Sequence, residues 1–437
     1  MYDWANSAYS LTITSAVFPA FFVGITNAYG EDRVVAEYGA PAASLYPWAL
    51  SAGFLIVALL APILSGIADH RGNKKAFLEF FCYLGATACA GLFFFSMEHL
   101  WLGLLLVVLA SVGFSGSLTF YDAFLPEIAE KKDHDRISAR GYTMGYIGSV
   151  LLLILNLAMV LKPEAFHLPE TIHLFGREWG AVPARISFLS VAVWWAGWAQ
   201  IAFRRLPDTE ALPHSPGSSV VADGYRELRK TWNELNKTVR LKRYLIAFFV
   251  LNMGIQTVMY LAANFAKQEV KEIDASGQVV AISDASLISS ILIIQLVAIP
   301  GALAFVWLSK RFGNVRALMV GAVLWIIACL YAFSVVWASG FYALAALVGL
   351  IMGGSQALSR STYAKFLPET RDTASYFSFY DVSYYVGTVL GTAAYGTVYA
   401  ITNDLRYTII AIGSFFVAGL LLLYRVPTHE TVAQASR

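Results

Sequence analysis

The sequence predicts an all-α membrane protein: twelve transmembrane helices in two six-helix repeats that run in the same direction. Three observations predict it. Hydrophobic residues make up 58% of the 437 and charged residues only 14%, too little polar material to cover a globule in water. About twelve apolar runs are long enough for a helix of roughly 20 residues to cross about 30 Å of hydrocarbon. The segment "YDAFLPE" at Tyr121–Glu127 returns as "YAKFLPE" at Tyr363–Glu369, 242 residues later.

The spans fall near 7–28, 46–68, 76–97, 100–120, 140–161, 184–203, 244–266, 285–308, 315–338, 341–358, 376–401 and 406–424. They are too long and too evenly apolar for barrel strands, which alternate over about ten residues. Helices are the other way to satisfy backbone groups in lipid. Polar residues crowd the second half of the tenth span, so its end is the least defined. An even count puts both termini on one side, and the loops of that side with the tail hold 24 of the 31 Lys and Arg. The positive-inside rule then places both termini in the cytoplasm. A cleavable signal peptide is not expected, since no basic leader or small-residue cleavage site stands before the first span, and that span is expected to serve as the targeting signal. Cys82, Cys89 and Cys329 lie within apolar spans and read as small hydrophobes.

The echo carries the domain organisation. A second pair, "YIGSV" at 146–150 and "YVGTV" at 385–389, is offset by 239, and a third, "HRGNKKA" at 70–76 and "RFGNVRA" at 311–317, by 241. A nearly constant offset of six helices means two parallel repeats related by an axis along the membrane normal. The bundles are expected at 1–203 and 244–426, with a cytoplasmic linker at 204–243 and a tail at 427–437. The linker opens on "RRLPDTEALPHSPGSS", which resists packing, and closes on "YRELRKTWNELNKTVRLKRY". The latter reads as a basic amphipathic helix on the inner leaflet or, equally, as a solvated linker whose charges hold the topology.

Two six-helix halves joined by such a linker resemble the major facilitator superfamily. The loop after the second span is similar to that superfamily's best-known motif in its Asp69-to-Gly72 spacing and its Lys74–Lys75 pair, with Ser65 and His70 departing from it. Asp69 is expected at the amide end of the eleventh helix, with Lys74 and Lys75 in the headgroup region. In the second repeat Lys310 replaces the acid, so the same contact is not expected there. A finer resemblance comes from "YDWANSAYS" at 2–10, "YDAFLPEIAE" at 121–130, "GYTMGYIGS" at 141–149, "GIQTV" at 254–258 and "GGSQALSRSTYAKFLPE" at 353–369. These are similar to the vacuole-effluxer branch, named for a fungal vacuolar exporter of amino acids and rich in bacterial members. The sequence departs from that branch at Met253, where an acid is usual, and it opens at "MYDW" without the usual short leader, which points to a start upstream.

The resemblance implies secondary transport across a bacterial inner membrane, with amino-acid efflux as one expectation, and the polar, uncharged cavity residues given below suit a small neutral or zwitterionic solute. The alternative is a non-transporting receptor or scaffold on the same fold. An enzyme is not expected, since the chain has no H-E-x-x-H, no G-x-S-x-G and no Cys or His cluster. A cofactor, a metal and nucleic acid are not expected either. Expected partners are the solute, membrane lipid and a proton, on a monomer.

In this architecture helices 1, 4, 7 and 10 line a central cavity, while 2, 5, 8 and 11 form the seam on which the halves rock. At about 1.5 Å per residue, mid-depth falls about ten residues from the entry. That places Thr14, Ser15, Ser111, Ser115, Asn252, Gln256, Thr257, Ser355 and Gln356 as substrate-cavity candidates, polar and uncharged. Asp3, Asn6, Asp69, Asp122 and Arg360 lie nearer the cytoplasmic ends and read as a gate, with Arg360 bridging to Asp3 or Asp122. Asp381, some six residues into the eleventh helix with Tyr384 and Tyr385 nearby, is the proton-coupling candidate, because a carboxylate at that depth is costly without a task; the alternative is a purely structural carboxylate in the interface, hydrogen-bonded to the loop after the second helix. Its repeat counterpart is the uncharged Tyr142. Gly141 with Gly145, and Gly387 with Gly391, are expected to let the seam helices approach.

Overall fold

A computed structural model describes residues 1–208, 220–274 and 276–428. Residues 209–219 of the linker and 429–437 of the tail, which the sequence reading assigned to a tether and a cytoplasmic tail, lie outside the described residues. Twelve long helices follow one another: α1 (Tyr2–Tyr29), α2 (Ala42–Arg71), α3 (Lys74–Gly91), α4 (Leu100–Asp122), α5 (His134–Leu161), α6 (Val182–Phe203), α7 (Val239–Glu269), α8 (Asp284–Phe312), α9 (Asn314–Ser334), α10 (Ala338–Phe366), α11 (Thr373–Thr402) and α12 (Leu405–Tyr424). Each predicted span falls on one of them. The tenth runs eight residues past its predicted end, since its polar second half stays helical inside protein contacts.

Among the described residues eleven of these helices are long and apolar enough to cross a membrane. The one outside that count is α11, whose six tyrosines, hydroxyl residues and Asp381 lower its hydropathy. Its polar groups are largely buried in protein, so helix burial replaces lipid contact. Within α1 the backbone of Tyr9–Ala16 is π-helical. Two hairpins, β1 (Thr171–Leu174) with β2 (Arg177–Gly180) and β3 (Lys271–Ile273) with β4 (Val279–Ala281), are antiparallel two-stranded ribbons in loops. A linker helix spans Val220–Lys237.

Contacts group the chain into two units. The first takes Met1–Leu60, Asn73–Tyr121 and Met144–Glu210; the second takes Ala61–Gly72, Asp122–Thr143 and Ala211–Arg437. The first unit is built on aromatic packing. Phe18 meets Tyr46, Phe95 and Phe188, and the buried Trp195 lies against Tyr9 and Phe114. Glycine permits its closest crossing, since a Cβ on Gly113 would lie 2.4 Å from the Gly85 backbone.

In the second unit α10 crosses α8 in the same way, a Cβ on Gly353 falling 2.1 Å from the Ala298 carbonyl and one on Gly349 falling 2.4 Å from that of Ile294. The seam glycines pack elsewhere than expected. Gly391 and Gly387 lie against α7, at Met253 and Phe249, and Gly145 lies against Ser7 of α1. They therefore tighten helix pairs inside each repeat. What brings α5 to the second repeat is alanine: Ala139, Ala302 and Ala357 form one buried cluster flanked by Tyr142 and Val306.

Candidate functional site

The polar groups concentrate at the helix ends next to the Lys- and Arg-rich loops, called here the basic ends. The last residue of α4, Asp122, accepts a bond of 2.8 Å from Arg360 Nη1 of α10, and both side chains are buried. Arg360 spends its other donors on α5: Nε donates to Ser138 Oγ at 3.0 Å and Nη2 to the Ser138 carbonyl at 3.2 Å. Ser138 Oγ in turn donates to the Ala357 carbonyl at 2.7 Å. The guanidinium lies 4.5 Å from the centre of the Tyr142 ring, a cation–π contact. One arginine thus ties the end of α4 and the start of α5 to α10. Asp122 is one of the two acids the sequence offered to Arg360, and Asp3 accepts from Tyr121 Oη at 2.5 Å.

The "YDW" opening has a packing role in the first unit. Tyr2 is fully buried and accepts from Trp195 Nε1 at 3.3 Å, while Trp4 stacks on Trp194 at 5.5 Å and its backbone covers Gly148. Asn6 is buried nearby, one helical turn beyond Asp3.

The Asp69 carboxylate sits at the amide end of α11, accepting from Ala374 N at 3.2 Å and Ser375 N at 2.7 Å. Two otherwise orphaned donors of a helix start are thereby satisfied by a negative charge. Thr373 Oγ1 adds a bond to Glu127 Oε1 at 2.9 Å. Lys75 pairs with Asp208 at 3.0 Å, but Lys74 is fully buried, so the headgroup position expected for it is wrong.

A cluster that the sequence reading missed closes the second repeat. Asp135, at the start of α5, accepts from Lys365 Nζ at 2.5 Å, Ser361 Oγ at 2.8 Å, Asn314 Nδ2 at 2.8 Å and Ser309 Oγ at 2.9 Å. The Lys310 position indeed offers no acid; the acid comes from the other partner. The "GN" of the repeated loop was the available signal, since Asn314 is one of the donors.

The cavity candidates divide by burial. Ser15 is exposed, Thr14 and Gln356 are half-buried, and Ser111, Ser115, Asn252, Gln256, Thr257 and Ser355 are buried. Three of the buried ones are engaged between neighbouring helices. Ser111 fills the space over Gly53, Thr257 lies over Gly391 while donating to the Met253 carbonyl at 2.6 Å, and Ser355 lies over Gly321. Asn252 Nδ2 donates to the Tyr384 carbonyl at 2.8 Å and its Oδ1 accepts from Gln256 at 3.2 Å, joining α7 to α11. Asp381 and Tyr385 are buried on α11 and Tyr384 half-buried, while Tyr380 stacks on Phe248 at 4.2 Å. Among the described residues no group of His, Cys, Asp or Glu is placed to hold a metal ion.

Twelve long helices in two parallel repeats make this a multi-pass integral membrane protein of the major facilitator fold. Residues 1–436 match the family model described as vacuole effluxer Atg22 like, and the chain belongs to that family. It is 31% identical over 437 residues to the uncharacterized MFS-type transporter YxiO of Bacillus subtilis (strain 168), covering 100% of this chain and 95% of the relative. It is 23% identical over 502 residues to autophagy-related protein 22-1 of Penicillium rubens, covering 92% of this chain and 78% of the relative. Among solved structures, the E. coli fucose:proton symporter FucP superposes with a TM-score of 0.67 at 14% identity, covering 98% of this chain and 97% of that one.

Proposed function

We propose that the protein is a secondary active transporter that moves a small neutral or zwitterionic solute, amino acids by preference and outward, by alternating access. The termini and basic ends face the cytoplasm, the membrane is a bacterial inner membrane, and the bodies that rock are residues 1–203 and 244–426. The observation that carries this reading is the Arg360 cluster. A fully satisfied buried ion pair joins helices of the first repeat to α10 of the second. Opening exposes both charges to water, which screens them once they part, whereas removing one member alone leaves an unpaired buried charge at a cost on the order of 3–5 kcal/mol.

Asp3, Asn6, Asp69 and Asp122 belong to the same cytoplasmic gate, Asp3 by holding Tyr121 next to Asp122. Ser15, Thr14, Gln356, Asn252 and Gln256 are the better placed solute contacts; Ser111, Ser115, Thr257 and Ser355 support the helices behind them. Asp381 loads the coupled proton, with Tyr384 and Tyr385 beside it.

Purified protein in liposomes tests the proposal. Labelled zwitterionic amino acids are expected to exchange, and an imposed pH gradient is expected to drive net flux. Asp381→Asn is expected to abolish the gradient response and keep exchange at equal pH. Absence of flux for every neutral and zwitterionic solute tried would favour a receptor or scaffold, and a normal gradient response in Asp381→Asn would remove the proton role from that residue.

A further inference from the structure

We propose that the linker helix, Val220–Lys237, is a strap across the basic end: it grips the end of α2 and the start of α11 at once, and its grip on α11 is the one released when that end opens. The proposal rests on the alternating-access reading above.

The grip on α2 is made by backbone. A Cβ on Gly66 would lie 2.3 Å from the Gly224 carbonyl oxygen, and one on Gly224 would lie 2.6 Å from Ile67 Cγ1 and 3.0 Å from Ile67 N. Two helices cross here at glycine on both sides, with the Ile67 side chain and the Gly224 backbone filling the space a Cβ would take, so that a larger residue pushes them apart. The grip on α11 is made by side chains. Lys230 Nζ donates to Asp372 Oδ2 at 3.0 Å, just before α11, and to Glu227 Oε1 of its own helix at 2.6 Å. Tyr376 Oη donates to Glu234 Oε2 at 3.1 Å, and the Trp232 ring lies 5.3 Å from that of Phe379. Between these contacts Thr231 and Leu235 are buried, whereas Tyr225 is exposed on the other side of the helix.

The strap therefore runs between the same two elements that Asp69 joins, α2 and the amide end of α11. The two grips differ in kind. The glycine crossing is close-packed backbone, but the Lys230 side chain is 54% exposed and its ion pair is screened by water. Separation of α2 from α11 consequently breaks the ionic grip first and leaves the strap on α2.

The test uses the full-length chain with a reporter thiol at Ala357→Cys, a buried position in the alanine cluster, against the native cysteines, which are buried as well. N-ethylmaleimide is applied to inverted vesicles and the labelling rate is read without any solute. Gly224→Leu is expected to raise the rate about tenfold and Lys230→Met about two- to fivefold, while Lys230→Arg holds the parental rate. The proposal requires both increases. A parental rate in either Gly224→Leu or Lys230→Met overturns it, as does Lys230→Arg labelling as fast as Lys230→Met. Because the readout involves no transport, failure of the flux assay leaves this result standing, and failure here leaves the flux assay standing.

Discussion

The two repeats close their basic ends with the same helices and opposite polarity. In the first, the acid lies at the end of α2, and Asp69 receives two backbone amides from the start of α11. In the second, the position matching Asp69 is Lys310, and the acid has moved to the start of α5, where Asp135 receives Lys365, Ser361, Asn314 and Ser309. The difference teaches that a repeat preserves where helices meet without preserving who supplies the charge. It also changes what each contact depends on. The Asp69 contact needs one side chain, because the helix start supplies its partners regardless of sequence. The Asp135 contact needs five side chains on four elements, so its donors must all be kept.

That contrast can be broken most directly at Asp135. Replacing it by Ala leaves Lys365 and three further donors around an empty acceptor, and thermal unfolding in detergent is expected to report a loss on the order of 3–5 kcal/mol. Asp69→Asn keeps one acceptor oxygen at the start of α11 but removes the charge and replaces the second acceptor by an amide NH2 facing a backbone N–H, for an expected loss of about 1–2 kcal/mol in the same assay. Equal losses in the two variants would erase the distinction between a backbone-served and a side-chain-served carboxylate.

The smallest effect is a pH dependence confined to the α2–α11 side, where the linker helix docks. Burial raises the Glu227 carboxyl above its ordinary value of 4.5; Lys230 pulls it down and the Asp372 carboxylate pushes it up. An acid with a raised value in the docked state holds its proton more tightly there. Docking is therefore strongest below 4.5 and weakens as pH climbs through the raised value. Labelling of the Ala357→Cys reporter, corrected for the intrinsic pH dependence of the thiol, is expected to rise over that window, and Glu227→Gln to flatten the rise.

Much of this was legible in the sequence for a physical reason. Apolar length reports the spans whatever their packing, and the 242-residue echo reports the repeat. Motif residues also led to Asp69, Asp122 and Arg360. What was not legible depends on neighbours far away in the chain. Arg360 had two candidate acids, and no local pattern in the sequence says that its guanidinium meets Asp122. Asp135 sits in an ordinary charged loop, "KKDHDRISAR", and nothing local distinguishes it from Asp133, which pairs with the exposed Arg136. Ser111 and Ser355 matched the depth of a cavity, but depth along a helix does not say which face a side chain takes. The seam glycines failed for the same reason.

The π-helical stretch of α1 has a consequence for the length of that helix. Its wider turns hold one more residue per bonded ring than an α-helix does, so Tyr9–Ala16 stores surplus chain inside an otherwise regular span. Loss of one residue there is absorbed by rewinding, with the packed "YDW" end and the Phe18 aromatic cluster both left in register. A comparable deletion in α2, pinned at Gly53 and again at Gly66, shifts one of its two fixed points. The first helix thus carries within its span an allowance for the loss of one residue.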